Sequence, residues 1–257
     1  MSDGQNLVGK HAVVTGGGRG IGAVIADSLN EAGAQVTIMG RNMDVLRDKA
    51  QQLNDGLAIQ CDVTDEDSVT TAFAAATKQH GPVDILVNNA GAARSLPFIK
   101  TDRAHLQQML DVNLIGPYLC IQAVLQEMID KKSGRIINIA STAALKGYSY
   151  VTAYGAAKHG VLGLTRSLAL EMATRGVTVN AVCPGFTDTD IARDAISNIV
   201  AKTGRTEDEA IRELVVHNPQ KRLIQPDEVA ATVLWLCGDK SVSITGQAIA
   251  VAGGEVM

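Results

Sequence analysis

The residues of this sequence that could perform acid–base chemistry lie close together in the second half of the chain. Tyr154 and Lys158 are four residues apart, so a helix would place both side chains on one face. A phenol has a pKa near about 10, but a neighbouring ammonium favours the phenolate and lowers that pKa. Tyr154 is therefore predicted to donate a proton to a carbonyl oxygen as hydride reaches the carbon, or to accept it in reverse.

Ser141 supplies a second hydroxyl for the same oxygen. It directly follows a run of residues that is typical of a β-strand. Tyr148 and Tyr150 are nearby alternatives for the acid, but only Tyr154 has a lysine four residues later. The spacing therefore predicts that Ser141 orients the carbonyl oxygen while Tyr154 exchanges the proton.

A glycine-rich turn near the N-terminus predicts a phosphate site. The run of residues 15–22 lies between a predicted strand and a predicted helix, where small residues let a pyrophosphate approach the helix N-terminus. The residues predicted to form this site are Gly16, Arg19, Gly20, Ile21 and Gly22.

Short apolar strands alternate with amphipathic helices along the whole chain. Strands are predicted at residues 11–15, 35–39, 57–60, 84–88, 134–139, 178–182 and 247–251. Helices are predicted at 20–32, after the second strand through residue 53, and at 65–80, 101–131, 150–174 and 226–237. This alternation predicts an α/β fold: one Rossmann-like, doubly wound domain over 1–257 with a parallel seven-stranded sheet and helices on both faces. Residues 186–222 interrupt the pattern, and we interpret them as a substrate lid, the alternative being a surface helical pair.

The motifs occur in the order of a known family. The spacing G-x-x-x-G-x-G at residues 16–22, Asn88-Asn-Ala-Gly91, and Tyr154-x-x-x-Lys158 resemble the short-chain dehydrogenase/reductase family. Asp62-Val63, Asn113, Ser141 and Pro184-Gly185 extend the resemblance over residues 8–254. It is similar in particular to 3-oxoacyl-(acyl carrier protein) reductases and polyketide-type ketoreductases.

The resemblance implies further site residues and an assembly. Lys158 would also bind the nicotinamide ribose, and Asn113 would hold a water molecule in a proton relay. Asp62 and Val63 would frame the adenine. After the fourth strand, the residues that would line the ribose are Asn89, Ala90 and Gly91. After the sixth strand, the residues that would hold the nicotinamide carboxamide are Pro184, Gly185, Thr187 and Thr189. A homotetramer is implied as well.

The residues after the second strand indicate which nicotinamide cofactor binds. NAD enzymes usually place an acidic residue there, whereas Gly40 stands at this position and Arg41 follows it. A guanidinium pairs with a 2′-phosphate, and Arg19 offers a second cation on the same side. The sequence therefore predicts NADP(H), although each arginine taken alone could be an ordinary solvated side chain.

Composition excludes several other functions. A net charge of -4 and only 3% aromatic residues argue against a nucleic-acid partner. Four separated cysteines and five isolated histidines offer no metal-ligand spacing, so no metal is expected. No signal-like segment or long apolar run is present, so we expect a cytoplasmic protein without a membrane span.

The predicted activity is that of an NAD(P)-dependent oxidoreductase acting on CH-OH/C=O groups (EC 1.1.1.-). The resemblance implies NADPH-dependent reduction of a ketone to a secondary alcohol, on a 3-oxoacyl thioester or a similar carbonyl. An oxidative alcohol or hydroxysteroid-type dehydrogenase is the alternative, and a nucleotide sensor without turnover is a third reading. The basic side chains that could meet a CoA phosphate, or simply form a solvated helix face, are Lys202, Arg205 and Arg212.

Overall fold

The computed structural model describes residues 6–257, apart from the side chains of residues 191, 194, 195, 198 and 202. Its strands are β1 (His11–Thr15), β2 (Gln35–Gly40), β3 (Leu57–Gln60), β4 (Ile85–Asn88), β5 (Gly134–Ile139), β6 (Val177–Pro184) and β7 (Ala248–Val251). Its helices are α1 (Gly20–Glu31), α2 (Met43–Ala50), α3 (Glu66–His80), α4 (Arg103–Leu110), α5 (Gly116–Asp130), α6 (Thr152–Met172), α7 (Asp190–Thr203), α8 (Glu207–Leu214) and α9 (Pro226–Cys237).

The strands form one parallel sheet in the order β3-β2-β1-β4-β5-β6-β7. The order reverses between β1 and β4, which is where open α/β sheets bind ligands beyond the carboxyl ends of the strands. The predicted seven-stranded, doubly wound α/β fold is therefore confirmed.

Helices cover both faces of the sheet because its strands are apolar on both sides. On one face α1 and α2 pack against β1, β2 and β3, and α9 packs against α1 and against β5, β6 and β7, with Ile25, Leu29 and Val233 fully buried. On the other face α3, α5 and α6 pack around Phe73, Met128 and their neighbours. Two apolar layers thus hold the strand ends in fixed positions.

The helical stretch predicted over about 101–131 is confirmed over Arg103–Asp130, but it starts later than predicted and contains an irregular turn. A 3₁₀ turn, Phe98–Lys100, comes first, and α4 begins only at Arg103 because the Asp102 side chain caps it at the His105 amide, 2.8 Å away. A π-helical turn, Asp111–Ile115, then separates α4 from α5. Such turns are rare and occur often at functional sites.

Helix α6 also starts later than predicted. Tyr150 has a φ of 67°, which no helix accommodates, so the helix begins at Thr152. The Tyr150 carbonyl instead accepts a hydrogen bond from the Leu96 amide, at 2.8 Å. This contact joins the segment before α6 to the segment after β4. The helix predicted to reach residue 53 likewise ends at Ala50.

Residues 186–222 contain the helices α7 and α8. A capping box at Thr206 and Glu209 starts α8, and Gly204, with a φ of 70°, ends α7. The segment returns to the sheet where Thr187 pairs with Ile224. It therefore forms a helical excursion from the carboxyl end of β6, which is where the sequence predicts a lid.

Candidate active site

The four predicted catalytic residues come from three different elements and meet at the carboxyl edge of the sheet. Ser141 follows β5, Tyr154 and Lys158 lie on the first two turns of α6, and Asn113 lies in the π-helical turn. The Ser141 hydroxyl shares a hydrogen bond with the Tyr154 phenol, and its oxygen also accepts from the Ala143 amide at 3.1 Å. The two hydroxyls predicted to bind one carbonyl oxygen are thus neighbours.

Lys158 is buried beside Tyr154. It is 5% exposed, and its Nζ lies 5.7 Å from the centre of the Tyr154 ring. The ammonium donates to the Ile139 carbonyl at 2.8 Å, at the end of β5. Burial lowers the pKa of Lys158 to about 8, so this lysine exchanges protons far more readily than a solvated one.

The pKa of Tyr154 differs from the sequence-based expectation. Burial raises it, and the bond to Ser141 offsets only part of that rise, whereas a neighbouring ammonium should lower it. Burial outweighs the effect of Lys158, whose Nζ lies 5.7 Å from the ring centre and donates its hydrogen bond to the Ile139 carbonyl. Tyr154 is consequently protonated at neutral pH, as a general acid requires.

Asn113 fixes the loop that follows β4. It is 0% exposed, and its Nδ2 donates to the carbonyls of Ala92 at 2.9 Å and Met109 at 3.0 Å. Its Oδ1 accepts from the Ala92 amide at 3.3 Å. A Cβ on Gly91 would lie 2.8 Å from that Oδ1 and 3.7 Å from the Lys158 Nζ. Asn113, Gly91 and Lys158 therefore share one small volume that admits no further side chain.

The glycine-rich turn folds tightly against the end of β4. Gly16 has a φ of 64°, and a Cβ on Gly22 would lie only 2.3 Å from the Gly16 carbonyl oxygen. Asn89 donates from Nδ2 to the carbonyls of Thr15 at 3.0 Å and Gly16 at 3.1 Å. The amides of Asn89 and Ala90 both donate to the Thr15 hydroxyl, at 3.1 and 3.0 Å. Thr15 is a positioning residue that the sequence patterns did not single out.

The first turn of α1 is open to an anion. Arg19 is the N-cap residue of α1 but its side chain forms no capping hydrogen bond, and no acidic residue lies in the first turn. The first amides of the helix therefore keep unused donors beside the positive end of its dipole. Such an arrangement favours an anion, and the contact of Gly20, Ile21 and Gly22 with a pyrophosphate stays a prediction.

The predicted 2′-phosphate cations lie at the surface around the carboxyl end of β2. Arg19 and Arg41 are exposed, and within the described part of the chain neither forms an ion pair. Asp62 accepts from the Thr64 amide at 3.0 Å, which together with Arg41 lowers the pKa of Asp62. Val63 is buried and contacts α5 at Gly116.

Residues 184–189, which we call the strip after β6, face the glycine-rich turn. A Cβ on Gly20 would meet the Thr189 methyl at 3.6 Å, and the Gly185 amide bonds to the Val251 carbonyl at 3.0 Å. Pro184 is the last residue of β6. The Thr187 hydroxyl donates to the Gly185 carbonyl at 3.0 Å, so it is already engaged and serves to fix the strip.

The structure also describes two of the basic side chains in residues 186–222, the possible metal ligands and one long apolar helix. Arg205 pairs with Glu213 and Arg212 is exposed, while the Lys202 side chain lies outside the described residues. Among the described residues no group of three His, Cys, Asp or Glu side chains could hold a metal ion. One helical stretch, Arg103–Asp130, is long and apolar enough to resemble a membrane span, but Cys120, Val124 and Met128 within it are core residues packed against the sheet.

Comparisons with known proteins agree with this geometry. Residues 16–255 match the family model described as enoyl-(acyl carrier protein) reductase. The chain is 38% identical over 249 residues to the uncharacterized oxidoreductase YxjF of Bacillus subtilis, covering 95% of this chain and 96% of that protein. It is 37% identical over 254 residues to the 3-oxoacyl-[acyl-carrier-protein] reductase FabG of Vibrio cholerae, covering 98% and 100%.

A solved structure gives the same result. A crystal structure of an actinorhodin polyketide ketoreductase with NADPH superposes with a TM-score of 0.92 at 34% identity, covering 96% of this chain and 97% of that one. The family predicted from the motifs is confirmed. Because fold, motif order and relatives agree, this chain belongs to the short-chain dehydrogenase/reductase family and is an oxidoreductase of the class that interconverts ketones and secondary alcohols.

Proposed function

We propose that this enzyme uses NADPH to reduce the ketone of a 3-oxoacyl thioester, or of a similar carbonyl compound, to a secondary alcohol. The observation that carries the proposal is the convergence of Ser141, Tyr154 and Lys158 beyond the carboxyl end of β5. Relatives of the chain include a 3-oxoacyl reductase and a ketoreductase crystallised with NADPH.

The residues present fit a dinucleotide. The uncapped first turn of α1 offers amide donors to a pyrophosphate, and Gly22 leaves no room for a side chain against Gly16. Arg19 and Arg41 would pair with the 2′-phosphate, and no carboxylate stands at Gly40 to repel it. When bound, NADPH supplies the hydride for the carbonyl carbon.

Tyr154 donates the proton that completes the reduction. Its hydroxyl proton passes to the carbonyl oxygen as negative charge develops there, and the resulting phenolate is stabilised by the Lys158 ammonium. Ser141 donates a second hydrogen bond to the same oxygen and thereby orients the carbonyl. A proton moved from solvent through Lys158, whose pKa is about 8, restores the phenol. The Ile139 carbonyl holds the Lys158 ammonium in place, and Asn113 would hold a water molecule of this relay.

Reduction of a carbon–oxygen bond is favoured over reduction of a carbon–carbon double bond. The description of the matching family model names an enoyl substrate. The Ser141 and Tyr154 hydroxyls, however, lie next to each other, so both can form hydrogen bonds to one carbonyl oxygen.

The decisive experiment follows the loss of NADPH absorbance, and separately of NADH, with three substrates. Acetoacetyl-CoA tests the 3-oxoacyl thioester, crotonyl-CoA tests an enoyl thioester, and a panel of simple ketones tests free carbonyls. We expect turnover of acetoacetyl-CoA with NADPH preferred. Turnover of crotonyl-CoA alone would contradict the proposed substrate. A preference for NADH would contradict the proposed cofactor.

The remaining features of the proposal concern assembly and location. We place residues 1–257 in one catalytic domain, with residues 186–222 as the lid over the substrate, and the enzyme in the cytoplasm as a homotetramer. Exposed apolar side chains on α5 and α6, including Tyr118 and Leu170, support an interface. Sedimentation that shows only a monomer would contradict it.

A further inference from the structure

A cluster of polar side chains lies beside the four predicted catalytic residues and is not used by the proposed reaction. The Tyr148 hydroxyl is 2.6 Å from Glu255 Oε1 and 2.7 Å from the Thr142 hydroxyl. The Lys146 Nζ is 3.1 Å from the same Glu255 oxygen and 4.8 Å from the centre of the Tyr148 ring. The cluster therefore joins the segment before α6 to the end of the chain.

The direction of each hydrogen bond in this cluster follows from its chemistry. A carboxylate only accepts, so the Tyr148 phenol donates to Glu255 and in turn accepts from the Thr142 hydroxyl. The Lys146 ammonium gives one of its three donors to Glu255. Its side chain is 31% exposed, so its other donors can reach a ligand.

Several contacts place the cluster between the loop that carries Ser141 and the start of residues 186–222, which are predicted to cover the substrate. Thr142 directly follows Ser141, and the Tyr148 and Phe186 rings meet edge to face at 6.4 Å. A Cβ on Gly185 would lie 3.4 Å from Glu255 Oε2. Glu255 thus stands between the strip after β6 and the loop that carries Ser141.

A buried carboxylate loses its hydration, and only hydrogen bonds and ion pairs within the protein offset that cost. The Glu255 side chain is only 3% exposed, and a buried ion pair contributes little to stability compared with apolar residues of similar size. An apolar side chain would suit a pocket for a plain hydrocarbon group. The ion pair instead leaves a polar surface next to the position of the reacting carbonyl.

We propose that Glu255 is a specificity-determining positioning residue, which holds Lys146 and Tyr148 as a polar wall that recognises a second hydrogen-bond acceptor beside the reacting ketone. The inference rests on the proposed ketone reduction and assigns to this wall the recognition of the second carbonyl group in 1,3-dicarbonyl substrates, which include 3-oxoacyl thioesters. In these, the second carbonyl oxygen lies two carbons from the reacting one and accepts a hydrogen bond from Lys146.

The experiment compares two substrates of similar size in the full-length enzyme. Ethyl acetoacetate carries the second carbonyl and 2-hexanone does not. We expect Glu255→Gln to raise KM for ethyl acetoacetate about tenfold with kcat little changed, and to leave 2-hexanone unaffected. Lys146→Met, which changes a partly exposed side chain, should give the same result and covers the case in which Glu255→Gln fails to fold. An equal loss for both substrates, or no loss for either, would overturn the inference.

A matched control and a binding measurement separate this inference from the proposed function. Asp84→Asn disrupts another buried carboxylate–lysine pair, at the opposite edge of the sheet, and should leave the ratio of the two substrates unchanged. Calorimetry of ethyl acetoacetate with the NADPH-loaded Tyr154→Phe enzyme reads recognition without turnover. If the wild-type enzyme reduces neither compound, the proposed function fails. The inference about Glu255 is then decided by binding alone. It is supported only if Glu255→Gln, added to the Tyr154→Phe enzyme, weakens the binding of ethyl acetoacetate.

Discussion

The two edges of the sheet carry the same kinds of side chain and use them differently. At the amino edge, His11 bonds through its ring to the Gly81 carbonyl at 2.7 Å and to the Thr37 hydroxyl at 2.9 Å. Asp84 accepts from the His11 amide at 3.0 Å and from Lys131 at 2.5 Å. These polar groups bond to one another and present little to a ligand.

The carboxyl edge keeps its donors available. Lys158 uses one bond to the Ile139 carbonyl, and the first turn of α1 has no side-chain cap. Burial lowers the pKa at both edges, for His11 and for Lys158, so a perturbed pKa does not by itself distinguish them. The comparison indicates that the functional edge is the one where hydrogen-bond donors lack a partner within the protein and face open space.

The largest effect should come from removing the acid at the carboxyl edge. Tyr154→Phe is expected to lower kcat by roughly 10² to 10⁴-fold, because the proton can then come only from solvent. NADPH binding, measured by fluorescence titration, should be retained. Tyr150→Phe, which changes an exposed tyrosine four residues earlier, serves as the control and should keep its activity. Equal activity in both variants would refute the role of Tyr154.

Lys158 should make the stability of the protein depend on pH. Its pKa is lowered from 10.5 to about 8 in the fold, so between these values the unfolded chain binds more protons and the unfolding free energy rises with pH. Relative to Lys158→Met, wild type should gain about 3 kcal/mol between pH 8 and 10.5. Urea unfolding of both proteins across this range measures the difference. A difference that stays constant with pH would contradict the burial of a charged lysine here.

The amino edge should affect stability without affecting catalysis. Asp84→Asn weakens a pair whose carboxylate is buried and whose lysine is partly exposed, and should lower the unfolding free energy by about 2 kcal/mol. Both kcat and KM of the folded enzyme should stay within about twofold of wild type. A marked rise in KM would show that the two edges are coupled, and the contrast between them would fail.

The smallest effect should come from the surface arginine beyond β2. Arg41→Ala is expected to raise KM for NADPH about tenfold and to leave KM for NADH unchanged, because only the 2′-phosphate differs. Arg47→Ala, on the exposed face of α2, is the matched control. Equal effects of Arg41→Ala on both cofactors would argue against a phosphate contact.

Much of the fold was predictable because its signals are local. The bounds of β1, β3, β5 and α9 agree with the prediction, since each is a short apolar run or a capped amphipathic helix with clear punctuation. The errors fall where tertiary contacts override the pattern. The π-helical turn around Asn113 depends on bonds to Ala92, and the delayed start of α6 depends on the left-handed Tyr150.

The residues of the site were predictable from the sequence, but the protonation of their side chains was not. Motif order and the parallel sheet require that residues after β1, β4, β5 and β6 meet at one edge. The pKa of Tyr154 could not be inferred, because its direction depends on how deeply the ring is buried.

The sequence by itself therefore determined the order of the elements, the family and the residues that gather at the carboxyl edge. These follow from hydrophobic periodicity and from the spacing of a few glycines and polar residues. Only the tertiary structure decided which polar groups are satisfied and which remain available. It also brought Glu255, near the end of the chain, to Tyr148, because contacts between distant segments depend on the packing of the whole sheet.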